Sequence, residues 1–545
     1  MPKVSKSDSV TKNYEKLAGS ERPHAKTSGK IGSSSEDEIV TVSLILRRRP
    51  DGKPLPDFAY YQATPPSRRE QLSRDEFAAV HGAHEDELAL VEKFARAHKL
   101  KIADSHPGRR CVVVRGTARQ INQAFHVQLN YYHSFRGRYR GFDGPAYLPK
   151  AVKKVVEDVI GLDDRPVPAK HWGADPPTTS GVTPMQVAGL YDLPSGNGTG
   201  QTIGIFEMPT NEGNPGYAIK DISATLKLFG GGLKVPSLTA VSVDGQTNTG
   251  VSDGETLLDI TVSTAVAPGA KIAIYFTAAA GTQNIIHALQ RMIHPGPKDP
   301  KPTILSISYG WGPDNDSINI HPNEYSQMSQ LFQDAARLNI TVLVSSGDSG
   351  AMFSPNTTNA EASYPATDPW VTACGGTVIG DINGSNFDEY IWNDTWPHGG
   401  SGATGGGVSA RFPIPSYQNG FPIPKQINTG QPGRGTPDIA GNASPVSGYP
   451  QSQAGQQSGG GGTSAVAPFY AGMIAVINTN LGLQVGFLNP SLYSSAKQVF
   501  RNVSSPPGPA NNSYKKVTGY PASPGWNACT GLGSLNGTAL QQKLK

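Results

Sequence analysis

Apolar residues in the first third of the chain alternate between strand-like and helix-like spacing. IVTVSLILRR, which begins at Ile39, alternates as a β-strand does, whereas residues 73–100 place apolar side chains three and four apart and predict a helix. CVVVRG from Cys111 predicts a second strand, followed by a short helix in ARQINQAF, a hairpin formed by VQLNYYHSF and YRGFDG, and a closing helix in KAVKKVVEDVIGLD. This order is typical of a compact ferredoxin-like α+β module over residues 37–164.

A different pattern fills residues 182–545. Short β-rich runs (TIGIFEM, AKIAIYFT, PTILSISYG and ITVLVSSGD) alternate with helical segments such as NEYSQMSQLFQDAARL. Strands separated by helices predict a parallel sheet with helices on its faces, which is an α/β fold. Between the two parts, residues 165–181 have the sequence RPVPAKHWGADPPTTSG, whose Pro- and Gly-rich composition predicts an exposed linker.

Length and composition narrow the class of protein. A chain of 545 residues is too long for one hydrophobic core, which predicts at least two domains. The 63 glycines and 45 prolines, with only 17% charged residues, indicate a loop-rich folded chain. Residues 1–36 are the exception, because their Ser, Lys and Glu content and few large apolar groups predict a disordered tail.

No membrane or export segment is predicted. The polar N-terminus lacks the apolar run of about 7–15 residues that an ordinary signal peptide contains. The most apolar stretch, from Ile260 to Ala280, is interrupted by Pro268, Gly269 and Lys271, which a membrane-spanning helix would not readily accept. We therefore expect no membrane partner.

Charge is divided unevenly along a chain whose net charge is only +4. Residues 1–175 contain 30 basic and 22 acidic groups, a net charge of +8, and the rest contains 17 basic and 21 acidic groups, a net charge of −4. This asymmetry predicts a basic segment that covers an acidic body. A nucleic-acid-binding N-terminus is the alternative, but the basic residues are interspersed with acids, so we expect no nucleic-acid partner.

Three cysteines, Cys111, Cys374 and Cys529, lie far apart in the sequence. Their spacing indicates neither a zinc site nor a disulfide framework. We expect them to be buried small residues, and a Cys374–Cys529 pair remains open on sequence alone.

The most specific local feature is a serine at the predicted start of an apolar helix. In GGGGTSAVAPFYAGMIAVINTNL, Gly459–Gly462 lead through Thr463 and Ser464 into the helix. A serine there lies near unsatisfied backbone N–H groups and the positive end of the helix dipole, which suits a nucleophile whose reaction develops an oxyanion. The alternative is that Thr463 or Ser464 only caps the helix, and position alone does not distinguish the two.

A nucleophilic serine needs a base, and the histidines after the linker are the first candidates. They are His287, His294, His321 and His398, and none lies in the HGT-x-V-A-G motif that a subtilisin-type serine protease needs. The usual base is therefore missing from the sequence.

Carboxylates are the remaining candidates for a base. Glu255 and Asp259, in SDGETLLDITVSTAVAPG, are four apart at the start of a predicted helix and share one face. Two carboxyl groups close together cannot both ionise cheaply, so such a pair can hold and pass a proton. Solvated acids near a helix N-terminus are the alternative, but the aliphatic context favours burial.

A third acid, Asp348, follows an apolar strand in ITVLVSSGDSGA. The carboxyl ends of parallel strands are where α/β folds place their sites. As an alternative, an Asp in Ser-Gly-Asp-Ser-Gly is an ordinary turn former.

Together, GGTSAVAP, DGETLLDI and SSGDSG resemble the three signatures of the sedolisin family, the serine-carboxyl peptidases, and the chain from about Glu38 onward resembles its kumamolisin-type members. The resemblance implies a subtilisin-like sheet with altered catalytic groups, preceded by a propeptide. It implies that Ser464 attacks the scissile carbonyl, Glu255 takes its proton and Asp259 holds Glu255. A protonated Asp348 would complete the oxyanion hole with the backbone N–H of Ser464, which would make the enzyme active in acid.

Two supporting positions are also implied by the resemblance. Glu207 matches a glutamate that extends the acid network, and an aromatic partner matches near SISYGWG. We favour Trp311 for that partner, with Tyr309 as the alternative and simple pocket lining as a further interpretation of each residue.

The family also carries a calcium loop near its C-terminus, matched here by FRNVS and PASPGWNACTG. Asn502 and Asn527 stand where the resemblance places aspartates, with Val503, Ser523 and Gly525 at the carbonyl positions. Because two negative charges are absent from an oxygen-ligand site, we expect calcium to bind weakly or the loop to close without metal.

The resulting hypothesis is a secreted, monomeric, autoprocessed zymogen of an acid-active serine-carboxyl endopeptidase. Its partners would be protein or peptide substrates and its own propeptide, cleaved in the linker around residues 171–178. The alternatives are a neutral protease that uses one of the four histidines and a non-catalytic binding protein on a protease scaffold.

Overall fold

In the computed structural model the described residues are 13–24, 28–134, 137–167, 169–170, 181–210, 213–278, 281–316, 319–354, 357–395, 402–501, 503 and 510–545. We call residues 37–164 the N-terminal module and residues 182–545 the C-terminal domain.

The N-terminal module is built on a four-stranded antiparallel sheet with the ferredoxin-like order. From edge to edge its strands are Lys101–His106, Cys111–Thr117, Ile39–Leu46 and Val156–Ile160. Its main helices are Arg74–His81, Glu85–Ala97 and Ala118–Phe125, and a hairpin of Leu129–Ser134 with Gly137–Phe142 lies beside the sheet. The predicted module, its first strand, its short helix and its hairpin are therefore found.

The module contains one strand that the sequence pattern does not predict, and one predicted helix is wrong over most of its length. The edge strand Lys101–His106 was not foreseen, because its side chains are mostly half-buried or exposed and show no apolar alternation. The predicted closing helix is limited to Lys150–Lys153, and the chain then forms the strand Val156–Ile160. The β-branched residues of VVEDVI favour a strand, and the pairing with Ile39–Leu46 decides it.

The prediction of a disordered tail over residues 1–36 is wrong for its described part. Tyr14–Lys16 pairs with Tyr147–Pro149, and Gly29–Ser33 pairs with the first strand of the hairpin. Leu17 is buried, and Arg22 lies 2.8 Å from the Glu324 carboxylate of the C-terminal domain. Backbone pairing and a buried ion pair order this segment, which has little apolar surface of its own.

The C-terminal domain contains the predicted parallel sheet. In spatial order its parallel strands are Leu238–Ser242, Lys271–Phe276, Thr202–Glu207, Ile304–Ile307, Thr341–Ser345, Thr372–Asn383 and Ile439–Asn442, and Asn386–Ile391 runs antiparallel to Thr372–Asn383. The fold is thus the α/β architecture expected from the alternating pattern.

Helices cover both faces of this sheet. We call Gly254–Val266 the acid helix and Thr463–Leu481 the serine helix; they pack against each other, and every side chain of the acid helix is buried. The other helices of the domain are Pro184–Leu190, Ile219–Phe229, Gly281–Ile293, Pro322–Arg337, Asn489–Ser494, Ala496–Val499 and Gly537–Leu544.

The N-terminal module packs its sheet on the helices Gly281–Ile293 and Pro322–Arg337. Ile45 and Val113 belong to the same hydrophobic cluster as apolar side chains of these helices, whereas Val42 and Leu44 face the interior of the module. Both faces of the module's sheet are therefore buried. Basic groups of the N-terminal part meet acids of the C-terminal domain at Arg22–Glu324 and Arg48–Asp334, as the charge asymmetry predicts.

The predicted exposed linker begins in a packed conformation. Arg165 forms an ion pair with Asp163, and Val167 is buried. Further along, the backbone of Ala169–Lys170 pairs antiparallel with Tyr309–Gly310 of the C-terminal domain. The predicted cleavage region around residues 171–178 lies outside the described residues.

All three cysteines are buried and free, so the open possibility of a Cys374–Cys529 disulfide is not realised. Across the described residues, no helix is both long enough and apolar enough to span a bilayer.

Candidate active site

The serine helix begins one residue before Ser464. Its N-cap, Gly462, has a φ of +83°, and a Cβ built there would stand 2.3 Å from Oδ2 of Asp348. Both the backbone conformation and the close approach therefore require glycine at this position. The glycine run turns the chain sharply into the helix and places Ser464 in the first turn, where backbone N–H groups are available.

Ser464 is fully buried and connected to the acid helix through Ser308. The Ser464 hydroxyl donates a long hydrogen bond of 3.4 Å to the Ser308 carbonyl. The Ser308 hydroxyl lies 3.0 and 2.9 Å from the two carboxyl oxygens of Asp259 and 3.3 Å from the Ser464 carbonyl. One side chain at the end of a central strand thus ties the predicted nucleophile to a predicted acid.

The acid helix starts at a well-capped N-terminus. The Asp253 carboxylate accepts hydrogen bonds from the backbone N–H groups of Glu255 and Thr256 and from Gly216. Glu255 and Asp259, in the first and second turns, have no exposed surface, so the predicted burial is confirmed.

Carboxylates of the acid helix act on one another and on Glu207. Burial raises the pKa of Asp259 well above its usual value, and the neighbouring charges of Glu255 and Glu207 raise it further, against a hydrogen bond from Ser308. Burial likewise raises the pKa of Glu207, with added repulsion from Asp253 and Glu255. The structure therefore brings Glu207, Glu255 and Asp259 into one cluster, in which Glu207 and Asp259 bind their protons tightly.

The aromatic partner of Glu207 is Tyr309, not the favoured Trp311. The Tyr309 hydroxyl donates to Oε2 of Glu207 at 2.8 Å. Trp311 is buried against Phe206 and Tyr364, and its indole N–H has no hydrogen-bond partner among the described residues. Trp311 thus contributes packing at this position.

Asp348 lies against the first residue of the serine helix. Its Oδ1 accepts the backbone N–H of Thr463 at 2.7 Å and the Thr463 hydroxyl at 2.8 Å. Its Oδ2 is buried without a hydrogen-bond partner among the described residues. Burial raises the pKa of Asp348 to about 7, against the two hydrogen bonds from Thr463, which lower it.

A cleft of about 340 Å³ opens beside this cluster. Tyr309, the N-cap Asp253 and the first acid-helix residue Gly254 line it, together with the segments around Asn214 and Val251. The cleft therefore lies at the N-terminal end of the acid helix.

The described histidines of the C-terminal domain lie away from Ser464, on the side covered by the N-terminal module. His287 forms a Ser–His–Asp arrangement, with Nε2 at 2.6 Å from the Ser43 hydroxyl and Nδ1 at 2.9 Å from Asp244. Ser43, however, lies in a strand of the N-terminal module, so this arrangement joins the two parts of the chain and contains neither Ser464 nor the acids of its cluster.

The other histidines do not provide a base for Ser464 either. His294 contacts Asp334 at 3.1 Å, and His321 caps the helix Pro322–Arg337. His398 lies outside the described residues. Among the histidines that the structure describes, none hydrogen-bonds Ser464, whose hydroxyl donates to the Ser308 carbonyl.

At one position of the expected calcium loop, Asn527, the structure places a hydrogen-bond donor instead of an oxygen ligand. Of the expected ligand positions, Asn502 lies outside the described residues, whereas Val503, Ser523, Gly525 and Asn527 lie within them. The Asn527 amide nitrogen donates to the Ser523 carbonyl at 3.2 Å, so an N–H group stands where a second oxygen ligand would be needed. Within the described ranges, no group of three or more His, Cys, Asp or Glu residues could hold a metal ion.

Sequence reasoning missed three residues of the site: Asp253, Ser308 and Thr463. Asp253 precedes a helix in an ordinary capping position, and Thr463 was considered only as a cap. Ser308 follows a central strand of the sheet, and the position of that strand end was the signal that could have marked it.

Comparisons with known proteins identify both parts of the chain. Residues 26–165 match the model of the pro-kumamolisin activation domain, and residues 239–484 match that of the subtilase family. Kumamolisin from Bacillus sp. (strain MN-32) is 38% identical over 97% of this chain and 96% of the relative. Tripeptidyl-peptidase sed5 from Aspergillus fumigatus is 30% identical over 97% of both chains.

A solved structure shows the same fold. Pseudomonas sedolisin, a serine-carboxyl proteinase solved with two molecules of pseudo-iodotyrostatin, is 26% identical, with a TM-score of 0.54 over 67% of this chain and 98% of its own. The chain therefore belongs to the sedolisin family of serine-type peptidases, with a propeptide followed by a peptidase domain of subtilisin-like fold.

Proposed function

We propose that the protein is an acid-active serine-carboxyl endopeptidase that is made as a self-processing zymogen. Ser464 attacks the scissile carbonyl, Glu255 takes its proton, and Asp259 holds Glu255 in place. Asp348 and the backbone N–H of Ser464 stabilise the oxyanion. The observation that carries this proposal is the buried Asp348 carboxyl, whose Oδ2 has no partner in the described structure beside the start of the serine helix.

Asp348 must be neutral to act on an oxyanion, because only a protonated carboxyl can donate a hydrogen bond. Burial raises the pKa of Asp348 to about 7, so its proton is present throughout the acidic range. A preorganised donor at an oxyanion typically contributes about 10²–10³ in kcat. This proton requirement supplies a physical reason for activity in acid.

The base is supported by the clustering of Glu255 with Asp259 and Glu207. A group of buried carboxyls shares its protons, so one member can accept a proton while another remains neutral. In the resting chain the Ser464 hydroxyl donates to the Ser308 carbonyl instead, at the long distance of 3.4 Å. Catalytic hydrogen bonds are often loose before substrate binds, and this long contact is easily exchanged for one to Glu255.

A peptide-like substrate is supported by the strand Tyr309–Gly310. Its backbone already pairs antiparallel with Ala169–Lys170 of the linker, beside the cleft that Tyr309 lines. An extended peptide can bind by the same strand addition. Ser464 and Glu255 have no exposed surface in the full-length chain, which supports an inhibited precursor.

Self-processing is tested by incubating the purified full-length protein at about pH 4 and following its mass. We expect wild type to lose the N-terminal module by cleavage within residues 165–181, and the Ser464→Ala variant to stay intact. If the Ser464→Ala variant is processed at the same rate, self-cleavage through Ser464 is wrong.

Endopeptidase action is tested separately, because the Aspergillus fumigatus relative, among others, carries the name tripeptidyl-peptidase. Two internally quenched peptides of the same sequence are compared, one with a free and one with an acetylated N-terminus. An endopeptidase cleaves both at similar rates. Cleavage of the free peptide alone would show an activity that depends on the substrate N-terminus.

An acidic extracellular environment suits a site whose Asp348 must be protonated, and we expect a monomer that is exported. Size-exclusion chromatography and assay of the culture medium of the source cells test these two expectations.

A further inference from the structure

Thr463 makes three hydrogen bonds that together orient the Asp348 carboxyl. Its hydroxyl accepts the backbone N–H of Gly347 at 3.0 Å and donates to Oδ1 of Asp348 at 2.8 Å. Its backbone N–H donates to the same Oδ1 at 2.7 Å. Because the Gly347 N–H occupies the acceptor side of the hydroxyl, the hydroxyl hydrogen is directed to Asp348.

The two oxygens of Asp348 are therefore unequal. Oδ1 receives two donors, which leaves little room for a proton of its own, whereas Oδ2 has no hydrogen-bond partner among the described residues. A proton taken up by Asp348 consequently resides on Oδ2. That oxygen lies beside the N-cap Gly462, in the turn that presents Ser464.

We propose that Thr463 is a positioning residue that fixes the acidic proton of Asp348 on Oδ2, the oxygen that serves the oxyanion. This inference rests on the proposed function, since it assigns the orientation of a donor that the proposed mechanism uses. Among the described residues, the polar groups that act on the Asp348 carboxyl are the backbone N–H and the hydroxyl of Thr463. No charged group of the described residues contributes to the shift of the Asp348 pKa.

The test replaces Thr463 by Val, which keeps the shape and removes the hydroxyl, and by Ser, which keeps the hydroxyl. Profiles of kcat and kcat/KM against pH are measured on an acetylated peptide after processing. Without the hydroxyl the proton can occupy either oxygen, and we expect kcat to fall about tenfold for Thr463→Val. The lost hydrogen bond had favoured the ionised form of Asp348, so in Thr463→Val the decline of activity on the alkaline side of the pH profile should move to higher pH. Thr463→Ser should return this alkaline limb of the profile to its wild-type position.

Thr264→Val provides the matched control, because Thr264 is a buried helical threonine whose hydroxyl donates only to the Ile260 carbonyl at 2.6 Å. It should leave the limb in place. A fall in kcat for Thr463→Val with an unmoved limb, or a limb that Thr463→Ser does not restore, would overturn the inference. Thr463→Ala replaces the Val variant if that protein does not fold. Full activity of Asp348→Ala would instead refute the proposed function itself.

A second, independent observation concerns Asn527 in the C-terminal loop. Its side-chain oxygen accepts from the backbone N–H groups of Cys529 and Thr530, each at 3.0 Å, and from the Thr530 hydroxyl at 3.2 Å. These donors fix which atom of the amide is oxygen, so the nitrogen is the atom that faces the Ser523 carbonyl.

We infer that the Asn527 amide N–H replaces a metal ion in closing this loop. An aspartate at residue 527 would place a second oxygen opposite the Ser523 carbonyl, and a cation would then be needed between them. The Asn527 side-chain amide instead joins residues 527 and 523 by a hydrogen bond to the Ser523 carbonyl. Two backbone hydrogen bonds between Asn527 and Gly531, at 3.1 and 2.8 Å, complete the closed turn.

The test uses full-length Ser464→Ala protein, which cannot degrade itself, and measures thermal unfolding with Ca²⁺ or with EDTA. We expect the same Tm in both, and no stoichiometric calcium by atomic emission. Asn527→Asp should lower the Tm in EDTA and recover part of it in millimolar Ca²⁺, whereas Asn527→Ala should lower it without recovery. A wild-type Tm that falls by several degrees in EDTA, or bound calcium in the purified protein, would overturn this inference.

Discussion

Two groups of buried carboxylates in this molecule have opposite protonation. At the active site, burial raises the pKa values of Asp259 and Glu207 well above their usual values, and neighbouring carboxylates raise them further. At the contact between the N-terminal module and the C-terminal domain, burial alone would raise the pKa of Asp334, but Arg48, His294 and Arg110 outweigh it and lower the pKa. Asp163 behaves in the same way beside Arg22 and Arg165.

The difference shows that cations beside a buried acid can outweigh the effect of burial on its pKa. Asp259 and Asp334 are both almost completely buried. One is surrounded by acids and retains its proton, and the other is surrounded by cations and stays charged. The same chain thus contains acids suited to proton transfer and acids suited to holding two folded parts together.

The largest expected effect comes from Asp348→Ala, which removes the proposed oxyanion donor. We expect kcat to fall by about 10²–10³, with a much smaller change in KM, because the donor acts mainly in the transition state. Steady-state kinetics at about pH 4 measure this. A loss confined to KM would mean that Asp348 binds substrate instead.

A second expectation concerns the pH dependence of stability. The pKa of Asp348 is raised to about 7, so its stabilising contribution is fully present below about pH 4 and lost as the pH rises through 7. Its ionisation should cost on the order of a few kcal/mol of unfolding free energy. Urea unfolding of Ser464→Ala protein at pH 4.5 and 7.5 should show this loss, and Asp348→Asn should reduce it.

Asp388→Asn, at an exposed position of the strand Asn386–Ile391, is the control substitution for this measurement. For Asp334, whose pKa is lowered, the sign is reversed: its stabilising contribution is present above its unfolded pKa and lost as the pH falls through the folded pKa. Equal slopes for the Asp348 and Asp388 variants would contradict the assignment of a raised pKa to Asp348.

An intermediate effect is expected when an interface acid loses its cation. Arg48 lies 2.6 Å from Asp334, and Arg48→Met should raise the Asp334 pKa and lower the unfolding free energy by about 2 kcal/mol, since Arg48 is partly exposed. The acid-induced loss of stability should then begin at higher pH. Arg49→Met, which breaks an exposed pair with Asp51, should cost much less unfolding free energy. Equal losses for both variants would argue against a special role of the Asp334 pair.

The smallest effect is expected at Tyr309, which donates one hydrogen bond to Glu207. Tyr309→Phe should lower kcat/KM several-fold, as loss of a bond worth about 1 kcal/mol predicts. Trp311→Phe removes a side chain with no described hydrogen bond and should have less effect on kcat/KM. The reverse order would restore Trp311 as the partner of Glu207.

Much of the fold follows from local patterns in the sequence. The four central parallel strands of the C-terminal domain are largely apolar runs, as expected for strands buried on both faces: Thr202–Glu207, Lys271–Phe276, Ile304–Ile307 and Thr341–Ser345. Lys101–His106 escaped prediction because an edge strand has little apolar alternation, and VVEDVI was assigned to a helix although its β-branched residues favour a strand. The ordered part of the tail depends on long-range pairs such as Arg22–Glu324, which no local pattern contains.

The site was predictable only in part for the same reason. Ser464, Glu255 and Asp348 stand in recognisable motifs, and the aliphatic context of the acid helix indicated burial. Which aromatic residue reaches Glu207 depends on how the strands Thr202–Glu207 and Ile304–Ile307 pair. The sequence alone places Tyr309 and Trp311 equally well for this contact. Ser308 contacts Asp259 across 49 positions, so only the folded chain could show that contact.

The most direct test of a carboxylate mechanism is the profile of kcat/KM against pH for the processed enzyme, its Glu255→Gln variant and its His287→Ala variant. The account predicts a maximum in acid, a decline as the pH rises through about 7 where Asp348 ionises, loss of activity in Glu255→Gln and retention in His287→Ala. A maximum above pH 7 that His287→Ala abolishes and Glu255→Gln leaves intact would contradict it.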